Sequence, residues 1–242
     1  MSDTAPLPGQ TPASKPNPLL ELLVTLVIPS LILMKLSGPE HLGAVQALLL
    51  ALAFPLAWGA FDWARRKKLN LFAALGLISV LLTGGIGLLQ LDNQWLAVKE
   101  AAIPGLIGLA VIASTYTRYP LIRTLLFNPA LIDVARVQQA LAARGSTHVF
   151  EARLQTATWM LGGTFFFSSA MNYFLASWIV TSPAGSPTFN EELGRLTLLS
   201  YPMIAIPSML MMLAVLYYLA RTIHKLTGLK LTETLHSHEG RS

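Results

Sequence analysis

The sequence predicts an all-α, polytopic membrane protein of six transmembrane helices with both termini in the cytoplasm. Three observations carry that reading. Six apolar stretches are each long enough to cross a bilayer. Of the 242 residues, 53% are hydrophobic and only 12% are charged, and the mean hydropathy is +0.56. The basic residues fall on alternate connections. A soluble domain carries about a quarter charged residues. Half that fraction leaves too little polar surface to face water, so lipid must solvate much of the chain.

Residues 1–18 hold five prolines and no apolar run, the composition of a disordered cytoplasmic leader. A cleavable signal would need a basic start followed directly by an apolar core. A helix rising about 1.5 Å per residue needs roughly 20 apolar residues to cross about 30 Å of hydrocarbon. Stretches 19–36, 42–61, 71–91, 95–116, 156–180 and 196–220 meet this, giving a membrane domain over 19–220 and a cytoplasmic tail over 221–242. The long continuous apolar runs lack the period-two alternation of a barrel strand, so helices are the form they take.

The connections differ in kind. Ser37-Gly38-Pro39-Glu40, Asp92-Asn93-Gln94 and the stretch 182–195 are short or acidic, whereas Arg65-Arg66-Lys67-Lys68, Arg118 with Arg123, and Arg221, Lys225 and Lys230 are basic. Of 17 lysines and arginines, all but Lys35, Lys99 and Arg195 fall on the second side. The positive-inside rule puts that side, and both termini, in the cytoplasm. Clusters of this kind beside apolar runs also account for the pI near 9.6 without nucleic acid as a partner. The lipid bilayer is the partner that composition requires.

The connector 117–155 is too long for a plain turn. Leu131, Val134, Val137, Gln138 and Leu141 fall near helical spacing between Asn128-Pro129 and Gly145. This predicts a short amphipathic helix, either lying on the cytoplasmic membrane face or packed on the helix ends. A second stretch, 148–155, leads into the fifth span.

Ionisable groups at membrane depth are costly, roughly 2.5–3.5 kcal/mol each on insertion scales. Glu21, Lys35, Asp62 and Arg195 sit within a turn or so of a span end and can reach the headgroups. Lys99 and Glu100 lie a turn inside the fourth span, between the interfacial anchor Trp95 and Pro104. Consecutive helical residues point about 100° apart, so the two are not expected to face one partner. With Lys35 and Asp92 at similar depth they form a candidate polar cluster, read as a structural ion pair or as a ligand site.

Gly84, Gly85 and Gly87 close the third span. They follow a helix and not a strand, which rules out a phosphate loop. Small residues there let helices approach closely. Asn172 in the fifth span is expected to hydrogen-bond another helix, and Pro202 and Pro207 to kink the sixth. With no cysteine, disulfides and thiolate metal sites are excluded. The five histidines, among them the tail pair His236 and His238, form no metal-ligand spacing with acidic residues on one membrane face. No motif calls for a cofactor, and no catalytic set is legible.

The Gly84-Gly85-x-Gly87-Leu88 turn, Trp95 followed by Lys99, Arg118-Tyr119-Pro120-Leu121-Ile122, Trp159, and Asn172-Tyr173 with Ala176 resemble the intracellular septation protein A family of bacterial inner-membrane proteins. A related uncharacterised group of bacterial inner-membrane proteins is more similar still. It shares Leu82 to Leu88, Lys99-Glu100-Ala101-Ala102-Ile103-Pro104, Thr181-Ser182-Pro183-Ala184-Gly185 and Phe189-Asn190-Glu191-Glu192-Leu193-Gly194. The resemblance implies a multi-pass inner-membrane protein of non-enzymatic character, supporting envelope integrity or septation through other envelope or division proteins. It brings no catalytic residue with it, and this chain has a longer connector and a Glu191-Glu192 loop that the septation proteins lack. Lys99, Glu100, the glycines and the prolines of the sixth span point instead to a small transporter or channel, which six spans would make a homo-oligomer, a dimer in the simplest case.

Overall fold

Pro29 and Pro207 each sit just beyond a break in an otherwise continuous helix. A proline has no N–H for the carbonyl four residues back, and its ring crowds that carbonyl. The chain answers by widening the ladder. Helix α1 (Pro18–Leu22) runs through a π-helical turn, Leu23–Val27, into α2 (Ile28–Leu36), with the Ile28 N–H reaching back five residues to Leu23. Near the other end, α9 (Pro187–Ser200) runs through a second π turn, Tyr201–Ala205, into α10 (Ile206–Thr227), where the Ile206 N–H bonds Tyr201. Pro202 and Pro207, the prolines expected to kink the sixth span, lie in and just beyond this π turn.

The computed structural model describes residues 18–66, 71–117, 121–125 and 133–229. Among them every regular element is helical. The remaining helices are α3 (Gly43–Arg66), α4 (Leu71–Leu88), α5 (Asn93–Ala113) with a 3-10 turn at Ser114–Tyr116, the short α6 (Leu121–Leu125), α7 (Val134–Ala143) and α8 (Thr147–Ile179). Three helical runs among the described residues are long and apolar enough to cross a membrane: Gly43–Ala64, Asn93–Tyr116 and Pro187–Thr227. Two shorter apolar helices, Leu23–Leu36 and Ala74–Leu88, accompany them. The leader, the Lys67-Lys68 end of the second basic cluster, Arg118, Asn128-Pro129 and the histidine tail lie outside the described residues.

Local chemistry sets the helix ends. Asp92 caps α5, its carboxylate accepting from the Gln94 N–H at 2.8 Å, and Asp133 caps α7 through Arg136 N–H at 3.0 Å. Ser186 caps α9 through Phe189 N–H at 3.1 Å, with Pro187 in the first turn, where a missing N–H costs nothing. At the end of α7 the chain turns on Gly145, at φ +61°. There the Gly145 N–H bonds Ala142 and the Ser146 N–H bonds Leu141, the paired closure that a left-handed residue makes possible.

Helices α5 and α8 run antiparallel and meet at glycines. A methyl group on Gly162 would stand 2.6 Å from Ile112 Cγ1, and one on Gly108 would stand 3.4 Å from the Gly162 carbonyl oxygen. The hydrophobic interior has two parts. One gathers Leu33, Leu48, Leu96, Leu175 and Phe189 from α2, α3, α5, α8 and α9. The other gathers Val111, Val137, Leu141, Leu161 and Ile223 from α5, α7, α8 and α10. Outside them lies a broad apolar surface: Leu81, Leu106, Phe174, Trp178, Met209 and Leu213 are all more than half exposed. Only 17% of the apolar window in Gly43–Ala64 is buried. Such surface on a water-soluble monomer would be an aggregation hazard; this one is consistent with a helical membrane protein.

Two expectations are corrected, and the alternatives left open for the connector are resolved. The stretch 182–195 is not a loop beyond its first residues, because Ser186 and Pro187 start a helix that continues without interruption to Thr227. That run of 41 residues is about 60 Å long, twice the hydrocarbon thickness. The fifth helix likewise begins at Thr147 instead of 156, absorbing the stretch 148–155. Helix α7 buries Val137 and Leu141 in the same interior cluster as Phe150, Leu219 and Ile223, so the connector packs on the helix ends. Gln138, read as part of its apolar face, is exposed.

Candidate functional site

Lys99 is the charged side chain that the fold encloses most among the described residues, with 7% of its surface exposed. An ammonium has three protons to place, and all three find acceptors. The Nζ lies 2.8 Å from Thr83 Oγ1 and 3.2 Å from Ser79 Oγ on α4, and 2.6 Å from Glu100 Oε1 on its own helix. Ser79 and Thr83 are four residues apart and so share one face of α4. Thr83 donates its own proton to the Ser79 carbonyl at 3.0 Å, which leaves its lone pairs for the lysine. The expectation that Lys99 and Glu100 look apart fails for a simple reason. Their Cβ directions diverge, but both side chains are long enough to bend back and meet.

The pair borders a partly open cavity of about 340 Å³ among α2, α3, α4, α5, α8 and α9. Leu33, Leu48, Leu52 and Leu196 make much of its wall apolar, and both π turns reach it, through Thr25 on one side and Tyr201 on the other. Ser30 also lines it; this residue is 1% exposed and its hydroxyl has no hydrogen-bond partner. A buried hydroxyl left unpaired carries a desolvation cost of about 1–3 kcal/mol.

Backbone chemistry adds to this. Pro29, Pro55 and Pro104 each lie within a helix, and the residues four before them are Thr25, Ala51 and Glu100. Proline gives no N–H, so each of these carbonyls lacks its usual helical donor. All three residues line the same cavity. The nearby Ala101 carbonyl takes a proton from Ser169 of α8 at 2.7 Å.

The other predicted residues separate. Asn172 lines the cavity, but its amide donates to the carbonyl and hydroxyl of Ser168 on its own helix, at 2.8 and 3.3 Å. The expected bond to another helix is absent because Ser168, one turn away, is nearer. Lys35 is exposed in the last turn of α2, and Asp92 is exposed and occupied in capping α5, so neither joins the cluster. Trp95 stands 61% exposed in the first turn of α5. Gly84 and Gly87 do serve close packing, their missing methyls being replaced by Leu52 and Leu48 of α3 at 2.6 and 2.7 Å, while nothing lies within 4 Å of Gly85. Ser30, Ser79, Thr83 and the proline-freed carbonyls went unread. The spacing of 79 and 83 was a signal for acceptors on one helix face, but nothing local says that Lys99 faces them.

The Phe189 to Gly194 motif is architectural. Phe189, fully buried, packs on Gly87. The Asn190 amide bonds Ser37 Oγ at 3.0 Å and the Ala44 carbonyl at 2.7 Å, tying the α2–α3 turn to α9. Glu192 accepts from the N–H groups of Thr181 and Ser182 at 3.0 and 2.9 Å and from both hydroxyls. Asn93 closes the same turn from below through the Val180 and Ser182 carbonyls. Glu191 pairs with Arg195 one turn on, at the surface.

No known family model, curated protein or solved structure matches this chain. The fold and the site define its class: a helical membrane protein whose apolar helices enclose a cavity with one buried ion pair.

Proposed function

We propose that this chain is a six-span protein of the bacterial inner membrane, with both termini cytoplasmic, that binds a small polar solute inside the membrane as a transporter or channel. The observation that carries the reading is that Glu100, Ser30 with its unpartnered hydroxyl, and Thr25 and Ala51, whose carbonyls meet a proline in place of a helical N–H, all line one cavity. All but the hydroxyl are acceptors, so the favoured solute is rich in hydrogen-bond donors: an amine, an amino acid or a polyol. Each of the six apolar stretches is helical over most of its length, and the charge asymmetry orients them. The reaction class is non-covalent.

One observation favours a second reading. All three protons of Lys99 are taken by the protein itself, as a purely structural ion pair would have it. That fits the envelope-supporting role which the resemblance implies, carried out through division or envelope partners.

Flux assays in proteoliposomes separate the two. If the transport reading holds, a donor-rich solute crosses faster with the protein than without, and the double variant Lys99→Met, Glu100→Gln slows it while leaving the protein abundant. If no solute in such a panel moves or binds, and Lys99→Ala only lowers abundance, the envelope reading takes its place. A tag in the Arg65–Lys68 loop tests orientation; labelling of that tag from the periplasm would overturn it.

A further inference from the structure

A second site lies away from the cavity, where the start of α8 meets the end of α10. A groove of about 420 Å³ there is lined by Arg153 of α8 and by Tyr218, Arg221 and Lys225 of α10. We propose that it binds the phosphate of an anionic phospholipid headgroup.

The first argument is charge. Among the described residues no acidic one lines the groove and none of the three cations has an ion-pair partner, whereas Arg123 pairs with Glu151 and Arg195 with Glu191. Arg221 and Lys225 are one turn apart on a single face, a spacing at which like charges repel. Cations near a helix C-terminus offset its dipole, but that role does not require Arg153, which is brought in from another helix. Three uncompensated cations around one concavity suit an anion shared among them.

The second argument is an orphan donor. The Tyr218 hydroxyl is buried and has no hydrogen-bond partner. The adjacent Thr222 hydroxyl is turned to the Tyr218 carbonyl at 2.8 Å and makes no bond to the phenol. A phosphate oxygen in the groove would take the phenol proton. Val149 and Leu226 line the remainder, apolar surface for a glycerol backbone and the first acyl carbons.

The third argument is depth. In the topology proposed above, on which this part rests, Arg221 and Lys225 stand where the last helix leaves the hydrocarbon on the cytoplasmic side. Basic pockets between helices at that level are where anionic headgroups bind.

The test uses the full-length protein in a nonionic detergent, titrated with phosphatidylglycerol or phosphatidylcholine and read by native mass spectrometry. Wild type binds phosphatidylglycerol more tightly by at least about tenfold. The triple variant Arg153→Gln, Arg221→Gln, Lys225→Gln loses that preference, with phosphatidylcholine binding unchanged. Arg195→Gln, which also removes one positive charge but lies in α9, keeps it. Should the triple variant fail to fold, Arg153→Gln alone carries the test, with a weakening of about threefold or more. Equal binding of the two lipids, or a variant that keeps the preference, overturns the proposal. So does displacement of phosphatidylglycerol by millimolar inorganic phosphate, which would make the ligand a soluble phosphate compound. The binding is read in detergent, so it fails or stands independently of solute flux and of the loop-tag result.

Discussion

A methyl group built on Gly194 of α9 would stand 2.7 Å from the carbonyl oxygen of Ser30 on α2, and equally close to Met34 Cγ. The two helices therefore touch backbone to side face at this point, beside the residue whose hydroxyl lies unpaired at the cavity. A backbone oxygen retreats only if the whole helix moves. Gly194→Ala is predicted to destabilise the protein by about 1–3 kcal/mol. Gly85→Ala, with nothing within 4 Å, is predicted to be neutral or to gain up to about 1 kcal/mol from helix propensity. Unfolding in detergent by increasing denaturant reads both; the reverse order would mean that α2 and α9 do not meet as described.

Lys99 and Glu100 are worth more as a pair than either alone. Lys99→Met removes the cation and leaves a largely enclosed carboxylate with no counter-charge, at a predicted cost of about 3 kcal/mol, the low end for a buried pair because Glu100 keeps 29% exposure. The double variant Lys99→Met, Glu100→Gln removes both charges and is predicted to recover most of that loss. A double-mutant cycle measures it, and additive single effects would refute the coupling.

Asn190 is fully buried and spans from α9 to the α2–α3 turn. Asn190→Ala removes both bonds that tie α9 to this turn, predicting a loss of about 1–3 kcal/mol. Cysteine accessibility at residue 41, in the turn that Asn190 ties down, should rise in the same variant. Unchanged stability and accessibility would show that the turn stands without it.

Glu192 holds the α8–α9 turn through a carboxylate that accepts from both backbone and hydroxyl groups. Bonds to a charged group contribute about 1.5–3 kcal/mol each, so Glu192→Ala should speed hydrogen exchange at the Thr181 and Ser182 amides by at least about tenfold. Amides in the middle of α10 should be unaffected. An effect spread evenly over the molecule would argue against a local staple.

The helices themselves were legible because hydropathy and length are local properties. Each of the six apolar stretches is helical over most of its length, and the differences fall at the ends. The 182–195 stretch looked like a loop since Glu191, Glu192 and Arg195 are charged, yet a Ser-Pro start and a helix longer than the hydrocarbon can hold charges outside lipid. In the candidate site, Lys99 and Glu100 could be picked out from the cost of burying charge. Lys35 and Asp92 were joined to them on depth alone, and depth does not fix rotation.

By itself, the sequence determined that the chain is helical, rich in exposed apolar surface and breached by a charged pair near Pro104. Only the tertiary structure decided that Ser79 and Thr83 meet Lys99, that Thr25, Ala51 and Glu100 line one cavity, and that Arg153 joins Arg221 and Lys225. The physical reason is geometric. Composition and period specify what a helix is and which of its faces is apolar, whereas the partner of a polar group depends on how neighbouring helices are rotated and crossed, and here glycines at positions such as 108, 162 and 194 set those crossings.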